Sequence, residues 1–211
     1  QRQRLSLVRG NLFHRAALAR LPDAPAAEAL FREALKWNRA GNAHPYGISV
    51  SLQWLADSLK AQGRFGEAES LSREALQRMR EANADPIAMS TTVCELARLL
   101  VEQGRHSEAE PFFREAVQWS RSADLPPPLA ATFCLPLAQS ILAQSRPAEA
   151  EPLFRDALDL FSQGESKPSQ RADALRGLAA CALALGRPDE AAALEAQAAA
   201  LDSTPVSPPA P

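Results

Sequence analysis

One spacing dominates this chain. Gly63-Arg64, Gly104-Arg105, Ser145-Arg146 and Gly186-Arg187 stand 41 residues apart, three times in succession. Four residues beyond each small residue comes Glu-Ala: Glu67-Ala68, Glu108-Ala109, Glu149-Ala150 and Glu190-Ala191. Arg73-Glu74-Ala75-Leu76 is answered by Arg114-Glu115-Ala116-Val117 and Arg155-Asp156-Ala157-Leu158, and one step back lies Arg32-Glu33-Ala34-Leu35. A fixed period of this length marks a stack of supersecondary units, each unable to bury its apolar face alone. Five units fit the lattice, the first and last degenerate.

Each unit reads as two helices. Leu52, Leu55, Ala56 and Leu59 precede the first Gly-Arg turn, and Val93, Leu96, Ala97 and Leu100 the second. Cys134, Leu137, Ala138 and Ile141, then Leu175, Leu178, Ala179 and Ala182, follow suit. These i, i+3, i+4, i+7 patterns make one apolar helix face. Past each turn a second helix opens on carboxylates (Glu67, Glu108, Glu149), which suit the positive end of the helix dipole. Pro111 and Pro152 fall early in that helix, where a missing N–H is expected to cost least. The chain holds 42 Ala and 29 Leu against 9 Gly, 8 Phe and 1 Tyr, which favours helix and argues against sheet.

At the level of individual positions the units resemble the tetratricopeptide repeat family. Val93-x₂-Leu96-Ala97-x₂-Leu100 followed by Ala109-x₃-Phe113, and Cys134-x₂-Leu137-Ala138-x₂-Ile141 followed by Ala150-x₃-Phe154, match its pattern with aliphatic residues in place of the large aromatics. Ser72 and Glu195 stand where the second and last units would carry Phe. The step of 41 exceeds the family's usual 34, as in the long-repeat subgroup typified by kinesin light chain, and the Gly41–Pro45 loop and the run Ala150–Phe154 are similar to that subgroup. The resemblance implies an all-α, right-handed α-solenoid of about five helix-turn-helix units. They are expected near 5–45, 46–86, 87–127, 128–168 and 169–201, one repeat domain over 1–201. Residues 202–211, with four prolines, are expected to form a disordered tail.

Several functions are excluded or disfavoured by the same reading. The net charge of −2 gives no general attraction to nucleic acid or anionic membrane. Arg2, Arg4, Arg9, Arg15 and Arg20 form a basic opening, but no aromatic platform accompanies them, so a solvated helix is the expected reading. No apolar run approaches the roughly 18 residues of a membrane span. There is no secretory signal pattern, and a start at Gln1 suggests an excised or processed fragment. Cys94, Cys134 and Cys181 are odd in number and widely spaced, which fits buried thiols in a reducing, cytoplasmic setting rather than disulfides or zinc. His14, His44 and His106 fall in three units, with His44 in a loop and His106 in a turn. No nucleophile, metal or phosphate-binding motif accompanies them, so no enzyme, cofactor or metal is expected. Pro136, inside a first helix, is expected either to delay the helix start or to kink it.

What the resemblance implies is a non-enzymatic protein–protein interaction scaffold. The first helices would line a concave groove holding a partner peptide or helix. Carried onto this lattice, the groove positions are Arg9, Leu12 and Ala16; Gln53, Asp57 and Lys60; Cys94, Arg98 and Val101; Leu135 and Gln139; Arg176 and Ala180. Arg98 and Arg176 stand out as forks for a partner carboxylate. The Asn and Lys with which family members clamp a chaperone's C-terminal carboxylate are absent, so that partner is not expected. Two other readings stay open: a ligand-sensing regulatory module cut from a larger signalling protein, and self-association through the end helices.

Overall fold

The computed structural model describes residues 2–18, 23–41 and 43–203. The expected tail beyond 203, the side chains of Arg2, Arg4 and His14, and the whole of Arg20 and Asn42 lie outside the described residues. Among the described residues there are ten α-helices and no strand. They are α1 (Arg2–Leu18), α2 (Ala24–Ala40), α3 (Pro45–Ala61), α4 (Phe65–Glu81), α5 (Pro86–Glu102), α6 (His106–Ser122), α7 (Pro127–Ala143), α8 (Pro147–Ser162), α9 (Pro168–Ala184) and α10 (Pro188–Asp202). The chain forms two compact units, residues 1–104 with α1–α5 and residues 105–211 with α6–α10. Within each, every helix packs on its neighbour in the chain.

The helix ends follow from sequence chemistry. Proline opens α3, α5, α7, α8, α9 and α10, a position where its absent N–H has no partner to lose. The Asp85 carboxylate caps α5 by accepting from the Ile87 and Ala88 N–H groups at 3.1 and 3.0 Å. The turn residues Gly63, Gly104 and Gly186 take φ of 74°, 73° and 78°, and Ser145 takes 60°. This left-handed backbone is where glycine is tolerated at least cost. Three prolines lie inside helices. Pro111 and Pro152 fall in the second turn of α6 and α8, one turn deeper than the sequence suggests, so each omits an intrahelical bond. α7 runs unbroken through Pro136, so its start is not delayed. His106 is the first residue of α6 rather than a turn residue.

In the first unit a continuous core joins Ala27, Phe31, Leu52, Leu55, Leu59 and Ala68, with Ala75 buried beside them. The three cysteines are free and buried. Burial raises all three thiols, that of Cys181 to about 11, which keeps them protonated and poorly nucleophilic. In the second unit Phe113, Phe154 and Phe161 are buried. Within α10 only Ala191 and Ala198 are buried, as expected of a terminal cap.

The arginine after each turn has a structural task. Arg146 Nη1 reaches back 36 residues to donate to Glu110 at 2.6 Å, and Arg187 does the same to Glu151 at 2.7 Å. In the first unit Arg64 donates to Glu28 at 2.7 Å. Burial works against the charge on Glu110, but hydrogen bonds from Arg114, Arg146 and Gln144 more than offset it and hold the carboxyl at about 2. Glu151 is lowered as well, chiefly by the bond from Arg187. A carboxyl whose folded pKa is depressed contributes stability above its ordinary value of 4.5, and that contribution is lost as pH falls toward 2. The urea midpoint is therefore expected to drop between about pH 5 and pH 3, and Glu110→Gln to flatten the drop. The arginine ends of these pairs meet solvent, which screens them, so the effect is modest. An unchanged slope in Glu110→Gln would contradict this role.

Candidate functional site

In the first unit the apolar stripe of α3 turns inward, with Leu52, Leu55, Ala56 and Leu59 at most 2 % exposed. The same helical twist leaves Gln53, Asp57 and Lys60 on the opposite side, only partly covered. Gln53 and Asp57, but not Lys60, border with α5 a cavity of about 380 Å³, whose lining includes Tyr46, Gln53, Trp54, Asp57, Ile87 and Glu95. Tyr46 and Ile87, at matching positions of successive repeats, are 49 % and 50 % exposed. Burial drives the Asp57 carboxyl up to about 6. Lys60 and a hydrogen bond from the Gln53 amide oppose the shift, while Glu95 and Glu102 add to it. Lys60 Nζ stands 3.9 Å from Asp57 and 3.1 Å from Glu102. Gln53 Oε1 is buried with no hydrogen-bond partner.

In the second unit a cavity of about 450 Å³ lies between α7 and α9, lined by Gln139, Leu142, Phe154, Asp173, Arg176 and Gly177 among others. Arg176 is ion-paired with Asp173 at 3.4 Å and also with Asp202.

The positions carried over from the family therefore divide. Gln53 and Asp57 share one cavity in the first unit, and Gln139 and Arg176 share one in the second. Arg98 is exposed on α5 outside the first cavity's lining. Burial opposes its charge, but Cys94 and the acids Glu95 and Glu102 outweigh that and raise its pKa. Val101 is half-buried. Leu135 is buried among the core residues of the second unit and offers little surface. Arg9 sits 4.6 Å from the centre of the Trp37 ring, a cation–π contact within the first helix pair. The sequence reading missed Tyr46, Ile87 and Glu95. Their signal was present, since an exposed aromatic or aliphatic residue recurs at the second position of α3 and α5. Among the described residues no group of three His, Cys, Asp or Glu side chains is arranged to hold a metal ion. No described helix is long and apolar enough to cross a membrane.

The profile of the tetratricopeptide repeat matches residues 47–121 and 129–204, together well over half of the chain. The chain belongs to the tetratricopeptide repeat family. Each matched stretch covers most of two 41-residue repeats. No curated protein matches the sequence. Among solved structures, this tetratricopeptide repeat protein is similar to BtubC (BKLC) from P. vanneervenii, with a TM-score of 0.81 and 21 % identity over 92 % of this chain and 82 % of that one. It is similar to a Podospora anserina kinesin light chain with nearly identical TPR-like repeats, with a TM-score of 0.77 and 19 % identity over 96 % and 97 % of the two chains. It is also similar to YrrB, a TPR protein with an unusual peptide-binding site, with a TM-score of 0.61 and 15 % identity over 90 % and 84 %. At these identities the likeness establishes the all-α repeat fold alone.

Proposed function

We propose that this tetratricopeptide repeat protein is a non-enzymatic scaffold that binds a peptide or helix of another protein on the faces of its first helices. The observation that carries the reading is that in each unit two successive first helices border a cavity, α3 with α5 in one and α7 with α9 in the other, and that Asp57 and Gln139, equivalent positions of the repeat, line one each. The polar side chains there, Gln139 and Arg176 among them, lie outside the core, so their polarity is free to serve recognition. YrrB, described by its peptide-binding site, shares the fold. A cytoplasmic setting belongs to this reading, supported by three buried free thiols. Arg9, Lys60, Arg98, Val101 and Gln139 remain part of the proposed contact set beside Gln53, Asp57 and Arg176, while the buried Leu135 drops out of it. Arg98 and Arg176 are its carboxylate-binding members.

The test is a pair of double variants compared in quantitative pull-down. Arg98→Ala with Arg176→Ala is expected to leave the helical signal and the melting midpoint nearly unchanged. It should weaken a captured partner by at least about tenfold, or roughly 1.4 kcal/mol. Arg73→Ala with Arg114→Ala removes cations from α4 and α6, whose ion pairs with Glu69 and Glu110 lie on the second helices, and should spare binding. The reverse pattern would assign docking to the second-helix faces.

A further inference from the structure

We propose that the cavity bordered by α3 and α5 receives a basic side chain, an arginine in an apolar context, from the bound partner segment. This rests on the reading of the first-helix faces as the docking surface. The argument is one of donor and acceptor inventory. Three carboxylates, those of Asp57, Asp85 and Glu95, line the cavity. The serine and threonine hydroxyl protons that line it are already committed: Ser49 donates to the Ala75 carbonyl at 3.1 Å, Thr91 to Ile87 at 3.0 Å and Thr92 to Ala88 at 2.9 Å. These hydroxyls are left as acceptors. The Tyr46 hydroxyl and the Trp54 indole N–H are further neutral donors of the lining, set against three carboxylates. Gln53 gives its amide N–H to Asp57 and keeps a buried carbonyl oxygen without a donor. Of the nearby cations, Lys60 is drawn at 3.1 Å to Glu102 and stands farther from Asp57, and Arg98 is shared between Glu95 and Glu102; neither lines the cavity. The cavity thus holds an excess of acceptors and negative charge that a donor-only cation satisfies, and a guanidinium presents five N–H donors in a fixed fork.

Shape points the same way. At about 380 Å³ the space falls at the small end of ligand-sized pockets. Tyr46, Trp54 and Ile87 provide aromatic and aliphatic walls for the methylene stem, and an aromatic face near a guanidinium adds a cation–π attraction. Burial of Asp57 raises the cost of its charge, a cost that an incoming cation offsets. The half-exposed Tyr46 and Ile87 at the rim suit apolar residues flanking the arginine.

The probe is a random heptapeptide display library, selected on the full chain at neutral pH. Recovered peptides are resynthesised and titrated by fluorescence anisotropy. Selected sequences are expected to share an arginine beside apolar residues. Replacing it with citrulline, equal in shape but uncharged, should weaken binding by at least about tenfold. Lysine in its place should bind better than citrulline. In Asp57→Asn with Glu95→Gln, isosteric changes checked for folding by the helical signal, the arginine–citrulline gap should shrink to less than about twofold. An unchanged gap in that variant, or peptides indifferent to citrulline, overturns the basic side chain. If indifferent peptides still lose affinity on Tyr46→Ala with Ile87→Ala, the docking surface stands and only its chemistry is wrong. Peptides blind to every α3 and α5 variant, or a library yielding no binder, overturn both.

Discussion

Phe154→Ala is expected to lower the free energy of unfolding by about 3–5 kcal/mol. Phe154 sits on α8 with none of its side chain exposed, and its ring rests against the backbone of α9 at Gly177. A Cβ placed on Gly177 would lie 2.1 Å from the ring's Cε1. The ring therefore fills a space that exists because position 177 has no side chain. Truncating it removes the apolar contact and leaves a void that rigid helices refill poorly. The same contact can be probed from the other side. Gly177→Ala forces the ring or the helix to move and is expected to cost about 1–3 kcal/mol. The two sites share one contact, so they are not additive: Phe154→Leu with Gly177→Ala should cost less than the sum of the single changes. Urea denaturation of the unaltered chain, Phe154→Ala, Phe154→Leu, Gly177→Ala and the double variant measures this, and a cost for Phe154→Ala below about 1 kcal/mol would contradict the packing described.

Leu96→Ala is expected to cost about 2–5 kcal/mol. Leu96 is fully buried in α5, within the first unit, on the same stripe as Val93, Ala97 and Leu100, all fully buried. Leu183 on α9 is its control, because it is the same residue type on a helix of the same rank in its repeat but is 64 % exposed. Leu183→Ala is expected to change stability by no more than about 0.5 kcal/mol. The chemistry of the two substitutions is identical, so the difference reports burial alone. Equal effects would mean that the repeat register has been assigned wrongly.

The repeat register was legible because it is written in residues whose roles are local. Gly63, Gly104 and Gly186 mark turns through a backbone conformation, and the leucine and alanine stripes mark a face through their period. Features that depend on partners a repeat away were not legible. The arginines 64, 146 and 187 are plain in sequence, but their carboxylates stand 36 residues earlier on a different helix. Gly177 is one glycine within an alanine-rich helix, and only the ring of Phe154 against it gives it meaning. Leu135 was carried over as a groove residue from its register, yet a leucine at that position is drawn into the apolar interior, where polar residues at the same register, Gln53 and Arg176, remain at the surface. The acceptor-rich cavity escaped notice because Asp57, Asp85 and Glu95 come from two helices and the residue that caps one of them.

Hydrogen–deuterium exchange of the chain, alone and saturated with a partner recovered by affinity capture, reads the docking face directly. Slowed exchange is expected along α3, α5, α7 and α9, the first helices that border the two cavities. Protection confined to α4, α6 and α8, with the first helices unchanged, would contradict the account.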